Sequence, residues 1–244
     1  FRDDFFRKSA SRHPRLEVIG LDGSSEKAVE RTVNKIYRDH GRIDVLVNNA
    51  GFGNIGAVEE ASQEDVSRVF EGNVFATLRM IRHVLPYMRA ARSGHIFNIS
   101  AIGGITALPG FGIYNAGKYA VEGFSEAMYD ELKELGIKVA MVEPGNFRTN
   151  FSGNSLAVAK KQIEDYRNTA GRARMNSLER NGQQQGDPDR AAKAIYEVFM
   201  QDEPAFRLLL EDDAGEPPAR LLISTPEEME QMEPLTISTI FNPN

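Results

Sequence analysis

The chain has 244 residues, 41% hydrophobic and 26% charged, enough for one globular domain with a sizeable core. Its formal net charge is −6 and its basic residues are scattered, so neither nucleic acid nor an anionic membrane is expected as a partner. It has no cysteine, which excludes disulfides, thiolate nucleophiles and cysteine-ligated zinc; its histidines (His13, His40, His83, His95) lack ligand spacing, so no metal site is expected.

No apolar segment approaches the roughly 20 residues of a membrane span, and Phe1-Arg-Asp-Asp4 lacks a signal-peptide core. A cytoplasmic protein is the expectation. The absence of an initial Met reads as a fragment, with residues 1–11 as the remnant of a helix entering a first strand, Leu16-Glu-Val-Ile-Gly-Leu21. Ser25 is an N-cap for a helix carrying Ala28, Val29, Val33 and Ile36, stopped by Gly41. Ile43–Val47 reads as a buried strand. Ser62-Gln-Glu-Asp65 resembles a capping box opening a helix through Val66, Val69, Phe70, Val74, Leu78 and Ile81. A strand at His95–Ile99, a helix from Tyr114 to Leu135, a strand at Ile137–Val142 and a strand at Arg207–Leu210 continue the alternation. Such alternation implies βαβ units and a parallel sheet. Residues 146–189 are polar and irregular, a segment expected to bind substrate, and 212–244 form a Pro- and Glu-rich peripheral tail.

Gly51-Phe-Gly53-Asn-Ile-Gly56 matches the spacing of a dinucleotide fingerprint, but the next capping signal comes only at Ser62, so these glycines do not open a helix. A glycine-lined floor under a cofactor explains them better.

The most informative stretch is Tyr114-Asn-Ala-Gly-Lys118. Moving a hydride to or from a carbonyl carbon requires a proton to move at the oxygen. A tyrosine hydroxyl does this if its pKa, about 10 unperturbed, is brought toward neutrality. Lys118, one helical turn along the same face, can favour the phenolate. The alternative is an ordinary solvated helix face. Asn49, Ala50 and Gly51 follow a buried strand at the carboxyl edge, where open α/β sheets bind ligands, although Asn and Gly also serve as plain turn residues.

The ordered set of Leu21-Asp22, Asn48-Asn-Ala-Gly51, Asn73, Tyr114-x-x-x-Lys118 and Pro144-Gly-Asn-Phe-Arg-Thr149 resembles the short-chain dehydrogenase/reductase family. The resemblance implies a single domain with a Rossmann-like, doubly wound parallel sheet, here N-terminally incomplete, and NAD or NADP as cofactor. It implies that Tyr114 is the general acid/base, that Lys118 also holds the nicotinamide ribose, and that Asn73 holds a proton-relay water. By the same resemblance Asp22 contacts the adenine, while Pro144, Gly145 and Thr149 bracket the nicotinamide. Asp22 reads equally as a turn residue before Gly23, and Asn73 as a solvent-facing helical residue.

Two departures stand out. The family's serine, thirteen residues before its tyrosine, is here Ala101; Ser100 is one residue off and points to the opposite face if the strand persists. The family's opening β-α-β unit with its glycine-rich phosphate turn has no counterpart before Asn48, so the Leu16 strand is expected either unpaired or beside the Ile43 strand. Weak dinucleotide binding and poor solubility of this chain follow as expectations. The leading expectation is an oxidoreductase interconverting an alcohol and a ketone or aldehyde of small to medium, largely apolar character, with Phe147, Phe151, Leu156, Tyr166 and Met175 as lining. The alternatives are a non-catalytic relative binding nucleotide or protein, and an epimerase or dehydratase using the same Tyr and Lys. By analogy with the family, a homo-oligomer is expected.

Overall fold

The structure, a computed structural model, describes residues 13–210, which fall within one compact unit, Phe1–Asp212. The expected entry helix at 1–11 and the tail at 212–244 lie outside the described residues. The first helix, α1 (Glu26–His40), starts where the Ser25 hydroxyl accepts the N–H of Ala28 and ends where Gly41, at φ 75°, donates to the Tyr37 carbonyl. Then come β1 (Val45–Asn48), a short β2 (Gly53–Ile55) and α2 (Gln63–Phe70), opened by the expected reciprocal hydrogen bonds of Ser62 and Asp65. A π-helical turn at Glu71–Phe75 joins α2 to α3 (Ala76–Ala91). The rest is β3 (Gly94–Ile99), α4 (Gly112–Lys133), β4 (Ile137–Pro144), β5 (Leu156–Val158), α5 (Arg172–Glu179), α6 (Pro188–Phe199) and β6 (Arg207–Leu210).

β1, β3, β4 and β6 form a wholly parallel sheet in that order, with Asn48 opposite Asn98 and Asn98 opposite Met141. β2 and β5 pair separately, also in parallel. Successive strand residues point to opposite faces, and each face has its own core. On one face Val29, Val33, Ile81, Val84, Met88, Met128 and Leu132 of α1, α3 and α4 cover Leu46, Ile96 and Val139. On the other, Ile195 and Val198 of α6 cover Phe97, Ala140 and Val142. The sheet is therefore doubly wound, as the alternation implied. Between α4 and β4 the chain turns at Gly136 (φ 70°), where any β-carbon would strike the Arg92 carbonyl.

Three expectations need correction. Leu16–Leu21 is not a strand. Among the described residues it has no ladder partner, and an extended segment without one keeps its backbone groups in water, leaving Leu16, Val18 and Leu21 exposed. The unpaired alternative is the one observed. The segment 146–189 is more regular than its polarity implied, containing β5 and α5 and a bridge from Phe147 to Gly186. Helix α6 is absent from the expected elements. Its start signal was nonetheless present: Asp187 accepts the N–H groups of Asp189 and Arg190, and Pro188 occupies the first helical position.

His95 on β3 is 3% exposed, its Nε2 without a partner among the described residues and its ring 4.1 Å from that of Phe97. Burial, with some help from Lys138, lowers its pKa to about 4. The folded protein thus resists protonation that the unfolded chain accepts near 6.5, so His95 stabilises fully above that value and progressively less as pH falls toward 4. Between pH 7 and pH 5 urea denaturation should show a loss of about 2 kcal/mol, and His95→Asn should flatten it; an equal loss in that variant would contradict the assignment.

Candidate active site

The carboxyl ends of β1, β3 and β4 deliver Asn49-Ala50-Gly51, Ser100-Ala101 and Gly145 to one edge of the sheet. Helix α4 starts at that edge, which places Tyr114 in its first turn and Lys118 one turn on, with Tyr114 half-buried and Lys118 6% exposed. The solvated-face alternative is therefore excluded for Lys118. Its Nζ donates to the Ile99 carbonyl at 2.7 Å and lies 5.8 Å from the centre of the Tyr114 ring. A β-carbon on Gly51 would stand 3.3 Å from Asn73 Oδ1 and 3.7 Å from Lys118 Nζ, so Gly51, Asn73 and Lys118 meet at one place and the glycine keeps it open.

Asn73 is 2% exposed, not solvent-facing. Its carboxamide is taken up by the backbone of Phe52: Oδ1 accepts the Phe52 N–H at 2.7 Å and Nδ2 donates to the Phe52 carbonyl at 2.8 Å. The π turn aims it there, and Gly72 leaves the room that the Phe52 ring fills. Asn73 thus holds the loop after β1 against helix α4.

Around Tyr114 the walls are aromatic, with Phe151 at 5.4 Å and Phe111 at 6.3 Å between ring centres. Of the apolar residues expected to line a substrate site, Phe151 stands against Tyr114, and Leu156 packs with it around Gly53. Phe147 packs on Gly186, Tyr166 donates to Glu59, and Met175 is 59% exposed. The segment carrying them is anchored by Glu60, whose buried carboxylate accepts the N–H groups of Ala57 and Ile163 and pairs with Arg174 at 2.8 Å.

Burial acts on the two central groups in opposite senses. It pushes the Tyr114 hydroxyl up, so the phenol keeps its proton, and pulls Lys118 down to about 8, against an opposing pull from Glu122. At neutral pH the tyrosine is a proton donor beside a lysine that remains mostly charged. Neither serine candidate offers a donor here. Ala101 is buried in extended backbone, and Ser100 Oγ points away, 2.5 Å from where a Gly104 β-carbon would stand and near Glu122.

The remaining expected residues are dispersed. Asn49, Ala50 and Thr149 are exposed along the edge; Pro144 ends β4, and the Gly145 N–H donates to the Leu210 carbonyl. Asp22 is exposed and its carboxylate accepts the N–H and hydroxyl of Ser24, the turn role that the sequence left open. Sequence reasoning missed Glu122, although its spacing of four from Lys118 was visible, and missed Phe52 and Glu60, for which no local signal exists. Among the described residues there is no group of three or more His, Asp or Glu able to hold a metal, and no helix long and apolar enough to cross a membrane.

Residues 6–159 match the family described as short chain dehydrogenase. The chain belongs to that family. It is 38% identical over 202 residues to the 3-ketodihydrosphingosine reductase of Bacteroides thetaiotaomicron, covering 82% of this chain and 75% of the relative. A short-chain dehydrogenase from Streptomyces avermitilis superposes with a TM-score of 0.88 at 35% identity, over 98% of this chain and 88% of that one. A Burkholderia phymatum short-chain dehydrogenase/reductase in complex with NAD gives 0.72 at 25% identity over 85% and 76%; ElxO with NADP bound gives 0.68 at 25% over 85% and 83%. The protein is an oxidoreductase of this family, and its cofactor is NAD or NADP. The residues present fit the nicotinamide-ribose half of such a group: Gly51 leaves space beside an ammonium whose three donors are matched, among the described residues, by one acceptor, Ile99.

Asn73→Ala strands both backbone groups of Phe52. It should cost about 1–3 kcal/mol in urea denaturation; no measurable loss would sink the clamp.

Proposed function

We propose that the protein interconverts an alcohol and a ketone or aldehyde with NAD(P), with Tyr114 as general acid/base and Lys118 as its electrostatic partner. The observation that carries this reading is the pairing of a half-buried Tyr114 with a buried Lys118 on the next turn, its Nζ 5.8 Å from the ring centre and beside the opening at Gly51. In the reducing direction Tyr114 gives its proton to the substrate oxygen, and the Lys118 ammonium offsets the charge left on the phenolate. The Lys118 donors not used by Ile99 would hold the ribose hydroxyls. Asn49, Ala50 and Gly51 would line the floor, Pro144, Gly145 and Thr149 would flank the nicotinamide, and Asp22, whose carboxylate here accepts from Ser24, would turn to the adenine. When bound, the nicotinamide supplies or accepts the hydride. Asn73 is the proposed relay position; its side chain is committed to Phe52 and its carbonyl accepts from Thr77 Oγ1 at 3.0 Å, so a relay water would share that carbonyl.

The rings of Phe111 and Phe151 beside Tyr114 favour a largely apolar substrate. The name of the Bacteroides relative, a reductase of a 3-keto compound, agrees with a carbonyl at the reacting centre.

Ala101 supports a second reading, a relative that binds nucleotide or a protein partner without efficient turnover. A missing donor of this kind costs on the order of a hundredfold to a thousandfold in rate. Turnover of a ketone and aldehyde panel with NADH and NADPH separates the two. Under the leading reading Tyr114→Phe abolishes turnover and Ala101→Ser raises it by roughly tenfold or more. Turnover that survives Tyr114→Phe removes the assigned acid; none in either wild type or Ala101→Ser favours the non-catalytic relative.

A further inference from the structure

Below Tyr114 the same face of α4 carries charges that hydride transfer does not require. Tyr114, Lys118 and Glu122 are spaced by four residues and form one stripe. The Glu122 side chain is 9% exposed, and its Oε2 accepts from Arg207 Nη1 of β6 at 2.7 Å. The same guanidinium nitrogen donates to Glu143 of β4, whose side chain is 1% exposed, and Arg207 Nη2 lies 3.6 Å from the exposed Glu126. One arginine therefore serves two buried glutamates, and the buried Lys118 lies one helical turn before Glu122 on the same face of α4. Two further facts place Glu122 in this set. Among the described residues its Oε1 has no hydrogen-bond partner, and neither has Ser100 Oγ. Both atoms converge on Gly104, lying 3.0 and 2.5 Å from the position of an added β-carbon.

We propose that Glu122, held in place by Arg207, is a positioning residue whose carboxylate is the buried counter-charge to the Lys118 ammonium beneath Tyr114. A lysine taken out of water loses the hydration that favours its charged form, and a carboxylate fixed one turn away on the same helix restores part of that preference. The Ile99 carbonyl supplies a hydrogen bond but no charge. Lys118 keeps its proton up to about 8, with burial pulling it down and Glu122 holding it up. Burial and the neighbouring Glu122 push the Glu143 carboxyl up, against the hydrogen bond from Arg207. The charged or titratable groups facing the Lys118–Glu122 stripe are thus Tyr114 on α4 itself, Arg207 on β6 and Glu143 on β4, while Asn73 and Ser100 approach as neutral groups. A side chain at Gly104 would fill the space that Ser100 and Glu122 share.

The idea rests on Tyr114 and Lys118 being the acid/base pair, but its test needs neither turnover nor cofactor. Protein labelled at lysine Cε is titrated by proton–carbon NMR, with the Lys118 resonance assigned by its loss in Lys118→Arg. In Glu122→Gln the Lys118 midpoint should fall by about one pH unit, a tenfold loss of ammonium relative to amine. Glu122→Asp should restore most of it. Glu122→Met, of similar length and equally uncharged, should lower the midpoint as much and provides the reading if Glu122→Gln does not fold. General loosening of the core would expose Lys118 and move its midpoint up, so the direction separates the two causes. A midpoint unchanged or raised in a folded Glu122→Gln or Glu122→Met protein overturns the proposal. Absence of turnover in the wild type, with the lysine shift intact, would instead count against the proposed reaction.

Discussion

An ammonium that leaves water must find acceptors inside the protein, and Lys118 finds the carbonyl of Ile99 at the end of β3. That contact fastens α4 to the carboxyl edge of the sheet and fixes the height of Tyr114 above it. A second buried polar line reinforces it: Asn48 donates to Asn98 and Asn98 to Ser125, each at 2.8 Å, joining β1, β3 and α4. With the helix held in this way, Gly117 can approach Val69 and Asn73 closely, and the loop after β1 comes to rest with Gly51 beside Lys118. The site is thus a consequence of where the helix is tied, more than of any one loop.

The electrostatic cost of that arrangement is visible in the two groups it buries. Desolvation opposes both a phenolate at Tyr114 and an ammonium at Lys118, so the favoured state is a neutral phenol with a lysine whose charge depends on its surroundings. Under the proposed reaction such a state would suit proton donation to a carbonyl oxygen better than proton abstraction from an alcohol, and with Ala101 contributing no donor the substrate oxygen would depend chiefly on Tyr114.

Much of this was legible in the chain. Caps at Ser25, Gly41 and Ser62 marked helix ends because local hydrogen bonds decide them, and parallel strands showed as apolar runs at Ile43, His95, Ile137 and Arg207. The burial expected of the Ile43 run is not met, since β1 starts at Val45 and Val47 is exposed, and β6 at the end of the sheet order has no buried residue. The spacing of Tyr114 and Lys118 put both on one helix face. Leu16–Leu21 misled because a β-branched run specifies a strand only where a partner supplies the ladder. The role of Asn73 depended on Phe52, more than twenty residues earlier, and the Glu122–Arg207–Glu143 cluster unites three elements; contacts of that range leave no periodic trace.

The π turn at Glu71–Phe75 interrupts what would otherwise run as one helix from Gln63 to Ala91. A turn of this kind holds one residue more than a regular helix needs, so the apolar stripe before it and the stripe after it are rotated relative to each other. Val69 accordingly meets α4 at Gly117, while Ile81, Val84 and Met88 join the core that α1 and α4 lay over the sheet. Shortening the segment by one residue would relax it into a smoother and intrinsically more favourable helix. The same relaxation would swing Asn73 off Phe52 and take the wall beside Lys118 with it. Selection for thermal robustness alone would therefore act against this segment, and its irregular winding is what holds Asn73 against Phe52.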